Sequence, residues 1–398
     1  MRRRINQFSP VDLLEIRILP TAAVSFNGTL LTITGDTNSN EVLVERDGNQ
    51  LHVAGQGGTL ITVLGSDVTE FFFTVNDSFN LNAKFLGGDD SLILGNGLQL
   101  RSATISMGDG ENDVFIDEVV FSGKLTIKSG GGEDFIAIDD SSVTGNTLID
   151  TGADDDSVFI NESTFVGATT IKTGLGEDEV RIGNVEASRR VKFVGKLTVQ
   201  TGADGDFVSM EVVDTKAFAI DTGDDDDSVF ISDALTFGVM NIKTGAGEDS
   251  LFLESVFQTA SGTNIFDLGS ATDTMGMVNC SFAAAVSINL GAGIENALTI
   301  DDVTFHGAFT LNSQGTDDEI AIETQQYDGQ TTFNRAAKFN LGFTSTVEIG
   351  VDDDASSTRF LSTATFTGKA PVSELIVKTG RVSFLIEPVL TNVDRTDV

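Results

Sequence analysis

The chain has 398 residues, is 40% hydrophobic, and carries a formal net charge of −36 from 60 Asp and Glu against 24 Lys and Arg. That balance excludes a general nucleic-acid or anionic-membrane surface and favours cations or basic partners. The apolar content excludes a disordered chain, no apolar run reaches membrane-spanning length, and the single Cys280 excludes an intrachain disulfide.

Residues 1–24 begin with Arg2, Arg3 and Arg4, a basic start like that of a signal peptide. Asp12, Glu15 and Arg17 then interrupt what would be its apolar stretch, so this part reads as a basic targeting or disordered segment. Residues 25–86 read as an N-terminal cap and irregular first coils. Within them, residues 42–53 (VLVERDGNQLHV) alternate on both sides of Asp47-Gly48, a hairpin signal.

Residues 87–341 carry a repeat. A Gly-rich acidic turn places Gly130, Gly152, Gly174, Gly202, Gly223 and Gly245 at steps of 22, 22, 28, 21 and 22 residues. Gly87 and Gly108 extend the series backward, Gly269 and Gly291 forward. A period in this range is one coil of a solenoid, in which each unit needs its neighbours to bury its apolar face. In the coil from Gly152, Val158 and Ile160 alternate around Phe159, Phe165 and Gly167 follow, and Ile171 leads to the next glycine. This is three short period-2 strands separated by turns, with no helical spacing. The expected fold is all-β: a right-handed parallel β-helix of about 22 residues per coil, capped at its ends. Phe121, Phe165, Phe237 and Phe305 occupy similar slots and are expected to stack inside.

Two features bear on register. Two residues before successive glycines stand Lys128, Asp150, Lys172, Gln200, Asp221, Lys243 and Asp267. Stacked side by side, these never bring like charges together. The step from Gly174 to Gly202 carries 28 − 22 = 6 extra residues around EASRRVK, expected as a loop bulging from one coil. Residues 342–398 keep the alternation but lose the acidic turn, and read as irregular C-terminal coils and a cap.

Four residues after each glycine runs a column of Asn112, Asp134, Asp156, Asp178, Asp206, Asp227, Asp249 and Asp273, preceded by Glu111, Glu133, Asp155, Glu177, Asp226 and Glu248. Here like charges do stack, and a hard cation taking six to eight oxygens would relieve the repulsion. The other reading is that these side chains cap their own turns and are simply hydrated.

The turns TGAGEDSLF (residues 244–252), TGLGEDEVR (173–181) and SGGGEDFIA (129–137) resemble the hemolysin-type calcium-binding (RTX) nonapeptide G-G-x-G-x-D-x-U-x, with Thr or Ser replacing the first glycine. The resemblance covers nine residues of each coil over roughly residues 87–300. It implies Asp134, Asp178 and Asp249 as calcium ligands, with turn carbonyls beside them; with the stacked acidic columns, the candidate metal residues are Glu133, Asp134, Asp154, Asp156, Glu177, Asp178, Asp204, Asp206, Asp225, Asp227, Glu248 and Asp249. RTX proteins place a turn every nine residues, whereas this chain has one acidic turn per coil, a larger coil like the three-sheet pectate-lyase type. Asp154, Asp204 and Asp225 stand where the motif has its third glycine, and aspartate tolerates the left-handed backbone needed there. Residues 14–20 (LEIRILP), after the arginine run, resemble a short segment of secreted planctomycete proteins. This implies an extracellular or cell-surface location.

Carboxylates are abundant but repetitive, so no unlike pair suited to glycoside hydrolysis is singled out. A lyase-like site would pair calcium with a basic proton acceptor, for which Arg181 beside Asp178 and Glu179 is best placed. Trp is absent and Tyr327 is the only tyrosine, which disfavours a glycan cleft. His52 and His306 lack partner motifs, and Cys280 reads as a small core or surface residue. Phe115, Phe159, Phe230 and Phe252 fall between inward positions and should form an outward strip, either covered by a terminal segment or serving self-association or a protein partner. The expected function is a non-enzymatic, calcium-stabilised β-helix of structural or adhesive role; the alternative is a polysaccharide-acting lyase.

Overall fold

The computed structural model describes residues 19–186, 188–324, 329–350, 356–369 and 372–398, and every regular element among them is a β-strand. The arginine run and residues 14–18 of the LEIRILP segment lie outside the described residues. The chain winds as a parallel β-solenoid of about 22 residues per turn: Leu125 pairs with Thr147, and Thr147 with Thr169. A representative coil comprises the strands Ser157–Ile160, Thr164–Phe165 and Thr169–Leu175.

The strands form because β-branched and aromatic residues occupy every second position, and each buries that half against the same half of the next coil. On the first face Ile136, Val158, Val180, Val208, Val229 and Leu251 stand in register, all buried. On the third face Ile105, Ile127, Ile149, Ile171, Val199, Ile220 and Ile242 do the same. The short second face is a stack of aromatic rings. Phe165 and Phe193 lie 5.1 Å apart and nearly parallel, and Phe305, Phe333, Phe360 and Phe384 continue at 4.9, 4.7 and 4.8 Å.

Phe237 does not join this stack, contrary to the sequence expectation; it is 55% exposed. Thr215 and Thr236, in register with Phe193, take the interior positions instead. Phe121, Phe165 and Phe305 stand two residues before a glycine, whereas Phe237 stands only one before Gly238. A shift of one residue moves a strand side chain to the opposite face.

The column from Lys128 to Asp267 is paired residue for residue as the charges require. One bridge within it, Lys128 Nζ to Asp150 Oδ2, measures 2.8 Å. At the N-terminal end Glu41–Asp47 and Gln50–Gln56 form the expected antiparallel hairpin, with Asp47 opposite Gln50. The first of these strands pairs in parallel with Ser91–Leu94, so the hairpin closes the open edge of the stack. At the other end parallel pairing continues to Val393–Asp397 against Ser373–Val377.

The extra residues before Val191 turn back onto the corner of the solenoid. Arg189 contacts Asp140 and reaches Glu162 at 3.2 Å, and the Ser188 amide donates to Glu162 at 2.8 Å. Arg190 binds Asp214 at 2.5 Å, Asp233 at 3.0 Å and the Val213 carbonyl at 3.1 Å. Two adjacent arginines thereby tie together acids from four coils.

Candidate cation-binding turns

Each acidic turn is shaped by its glycine. Gly152, Gly174, Gly202, Gly223 and Gly245 stack in register with φ between 111° and 122°, in the left-handed region. A Cβ on Gly223 would come within 1.8 Å of the Gly202 carbonyl oxygen, and one on Gly245 within 1.7 Å of that of Gly223. Position and backbone together admit only glycine. Two residues on, Asp154, Asp204 and Asp225 adopt φ of 76°, 74° and 73°, the left-handed backbone expected for aspartate in place of the third glycine. The Oδ2 atoms of Asp154 and Asp204 accept the amides of Gly132 and Gly176 from the preceding coil, at 2.9 and 3.3 Å.

The threonine that replaces the first glycine of the nonapeptide has its own use. Thr151, Thr173, Thr201, Thr222 and Thr244 are fully buried. Thr201 and Thr222 donate to the carbonyls of Thr222 and Thr244 at 3.2 and 3.1 Å, making a side-chain ladder along the stack.

A second ladder is built from the aspartates. The amide of Asp134 donates to Asp156 Oδ1 at 2.9 Å, Asp156 to Asp178 at 2.9 Å, Asp178 to Asp206 at 2.9 Å, Asp206 to Asp227 at 2.7 Å and Asp227 to Asp249 at 2.9 Å. The same bond runs from Asn40 to Asp90 at one end and from Asn296 to Asp318 at the other. These side chains therefore cap the neighbouring coil as well as meeting a hydroxyl of their own turn, as Asp318 does with Ser313. The ladder aspartates are 3% exposed or less.

The residues put forward as ligands separate into two rows. Asp134, Asp156, Asp178, Asp206, Asp227 and Asp249 lie in the interior ladder, while Glu133, Asp154, Glu177, Asp204, Asp225 and Glu248 stand exposed. Glu177, Asp204, Asp225 and Asp226 line a shallow concavity of about 420 Å³ together with Gly205.

The interior row leaves one oxygen of each carboxylate unused: Oδ2 of Asp90, Asp134, Asp156, Asp178, Asp206, Asp227, Asp249 and Asp273 is buried without a hydrogen-bond partner. Asn112, in the same slot, shows what that oxygen faces. Its Nδ2 donates to the Gly110 carbonyl at 2.7 Å and to Asp134 Oδ1 at 2.9 Å. The carboxyls of Asp134, Asp156, Asp178, Asp206, Asp227 and Asp249 also meet the hydroxyls of Ser129, Thr151, Thr173, Thr201, Thr222 and Thr244 in their own turns, and a second oxygen set beside a turn carbonyl favours a proton or a cation there. Burial accordingly pushes the carboxyls of Asp156 and Asp206 up to about 7, and those of Asp134, Asp178 and Asp227 to about 6. Orphaned buried oxygens beside turn carbonyls fit a hard cation such as calcium.

The outward aromatic strip is present and half-buried. Register places Phe115, Ala137, Phe159, Arg181, Ser209, Phe230, Phe252 and Gly276 in one column, so small residues interrupt it. Phe135 and Phe207, from the neighbouring column, fill the gaps: Phe135 lies 5.6 Å from Phe115 and 5.2 Å from Phe159. Arg181 lies across this strip, its guanidinium 6.0 Å from the Phe159 ring and 5.1 Å from Phe207, and it pairs with Glu179. The sequence did not point to His52 on the N-terminal hairpin, which sits 3.0 Å from Glu70 and 3.9 Å from Glu45 and stacks on Phe72. Cys280 is a core residue, 2% exposed. No helix among the described residues is long and apolar enough to cross a membrane.

No family model, curated protein or solved structure matches the chain. The likeness to the RTX nonapeptide rests on the turn residues themselves.

Proposed function

We propose that the protein is a structural or adhesive solenoid whose acidic turns take up calcium. It would act without catalysis and at the cell surface, where calcium is abundant and the LEIRILP segment would direct it. The observation that carries this reading is the row of buried, unpaired Oδ2 atoms along the ladder. Asp134, Asp156, Asp178, Asp206, Asp227 and Asp249 would hold the ions from inside, and the exposed Glu133, Asp154, Glu177, Asp204, Asp225 and Glu248 would gather them. Bound calcium neutralises carboxylates that otherwise repel along the stack. The Phe115–Phe252 strip, with Arg181 laid on it, supplies a face for a protein partner or a second copy. The test is a calorimetric calcium titration of the full chain with melting curves in EGTA. Several sites and a large rise in melting temperature are expected; absence of binding would leave the ladder as a hydrogen-bonded, proton-bearing spine and end the calcium reading.

A further inference from the structure

The first-face strand Ala297–Asp301 starts beside the ladder residue Asn296 and ends, about 17 Å away by strand geometry, at a corner built from acids. Most coils turn this corner on a residue with left-handed backbone. Glu118, Asp140, Glu162 and Asp233 do so with φ of 56°, 41°, 44° and 44°; all but the half-buried Glu162 are exposed. Asp302 and Glu323 also do so, with φ of 56° and 52°, and Glu323 is buried. Asp301 and Glu323 are 0% exposed, Asp302 is half-buried, and one oxygen from each of the three lies within 4.8 Å of the others.

Glu323 Oε1 accepts the Asp302 amide at 2.9 Å. Its Oε2 is buried without a hydrogen-bond partner, while the carboxyl as a whole meets the Thr331 hydroxyl and Asp301. Gly329 closes over the group from the next coil: a Cβ there would fall 1.1 Å from Asp302 Oδ1. The close approach thus depends on glycine at position 329. Burial raises the Glu323 carboxyl well above its ordinary value, with the charge of Asp301 adding to the effect.

The geometry points to a single divalent-cation site of calcium size at this corner, held by Asp301, Asp302 and Glu323 and separate from the repeated turns. Calcium–oxygen bonds of about 2.3–2.6 Å place opposed ligands roughly 4.6–5.2 Å apart, whereas magnesium at about 2.0–2.1 Å draws them to roughly 4.0–4.2 Å and demands near-octahedral geometry. Magnesium usually keeps several waters and takes only one or two carboxylates, so three carboxylates, two of them fully buried, suit calcium. All are hard oxygen donors, which excludes a preference for a thiolate-seeking metal.

The test titrates calcium into the full chain, Glu323→Gln and Asp302→Asn, and melts each in EDTA. Both variants should bind one ion fewer than the parent, or bind that ion at least tenfold more weakly, with little change in EDTA. Equal stoichiometry and affinity in all three proteins would overturn the site. So would a higher EDTA melting temperature for Glu323→Gln at unchanged stoichiometry, which would mean the acids share a proton. Should Glu323→Gln fail to fold, Asp302→Asn decides alone, because its half-exposed side chain lies outside the core. Failure here is distinguishable from failure of the turns: a protein with Asp134, Asp178 and Asp249 changed to Asn retains this corner, and if the turns bind nothing the parent binds one ion and the corner variants none.

Discussion

The amide of Asp156 donates to Oδ1 of Asp178, 2.9 Å away and one coil further along the chain. The bond uses one carboxylate oxygen and strands the other, so the ladder that holds the coils in register also creates their demand for protons or cations. Substitution by asparagine separates the two roles, since Asn112 and Asn296 already occupy the slot. Changing Asp134, Asp178 and Asp249 to Asn should leave melting in EGTA nearly unchanged while removing most of the rise produced by calcium. With calcium at 100 times Kd, each lost site is worth about 2.7 kcal/mol. Equal losses in both conditions would sink the assignment of these residues as ligands.

Stability of the chelated protein should fall as pH rises. A carboxyl whose pKa is raised by folding holds its proton more tightly in the folded state. Its contribution is present in full below the unfolded value near pH 3.9 and lost as pH climbs through the folded value. For Asp134, Asp178 and Asp227 that is about 6, and for Asp90, Asp156, Asp206 and Asp273 about 7. Melting temperature in EGTA should therefore drop between about pH 4 and about pH 7, opposite to ordinary acid denaturation, and calcium should flatten the curve. A melting temperature that climbs with pH in EGTA would show that the ladder is already charged in the folded state.

Gly223→Ala tests the closeness of the coils. The new Cβ meets the Gly202 carbonyl at 1.8 Å on a backbone with φ of 118°. Relief requires parting two coils that share ladders on both sides, so a loss of about 4 kcal/mol is expected in denaturant unfolding. A change below about 1 kcal/mol would mean that the stack gives way easily at this corner.

The two arginines of the inserted loop should differ. Arg190 is half-buried and satisfies two carboxylates and a carbonyl. Arg190→Ala should cost about 1–3 kcal/mol, because Asp214 and the carbonyl lose a charged donor. Arg189→Ala, at the exposed end, should cost less, and salt should abolish the difference. Equal losses at low and high salt would show that packing of the loop, rather than charge, fastens the corner.

Arg181→Ala should leave any polysaccharide degradation by the protein untouched, because the guanidinium is engaged by Glu179 and two phenylalanine rings. It should instead promote self-association, read by sedimentation, as Phe159 and Phe207 lose their cover. A lost cleavage activity would restore the lyase alternative.

Much of this architecture was legible beforehand because a stacked repeat converts sequence spacing directly into neighbours. The glycine period fixed the coil length, and the charges from Lys128 to Asp267 fixed the register. The left-handed aspartates followed from replacing glycine at a turn. The failures share a cause: spacing along one coil does not say how that coil sits against others. Phe237 was misplaced because its distance to the glycine is one residue shorter. The aspartate column read as hydrated or metal-bound, but an amide bond to the next coil leaves no mark in a single turn. Arg189 and Arg190 read as a bulge because their partners, Asp140 to Asp233, lie up to 49 residues before and 43 after them. Asp301 and Glu323 meet only because 22 residues make one turn.

The contact between Gly223 and Gly245 also sets a unit of length. The coils from Gly152 to Gly245 present the same amide, carboxylate and bare glycine to their neighbours, so one whole coil among them can be spliced out and its flanking coils joined with the rungs kept. Removing 22 residues shortens the rod by one step of about 4.8 Å. Coils of 28 and 21 residues, from Gly174 to Gly202 and from Gly202 to Gly223, keep the same rungs in register, so the division is the coil from glycine to glycine and not a fixed residue count. The molecule is in this sense a ruler, adjustable in whole divisions.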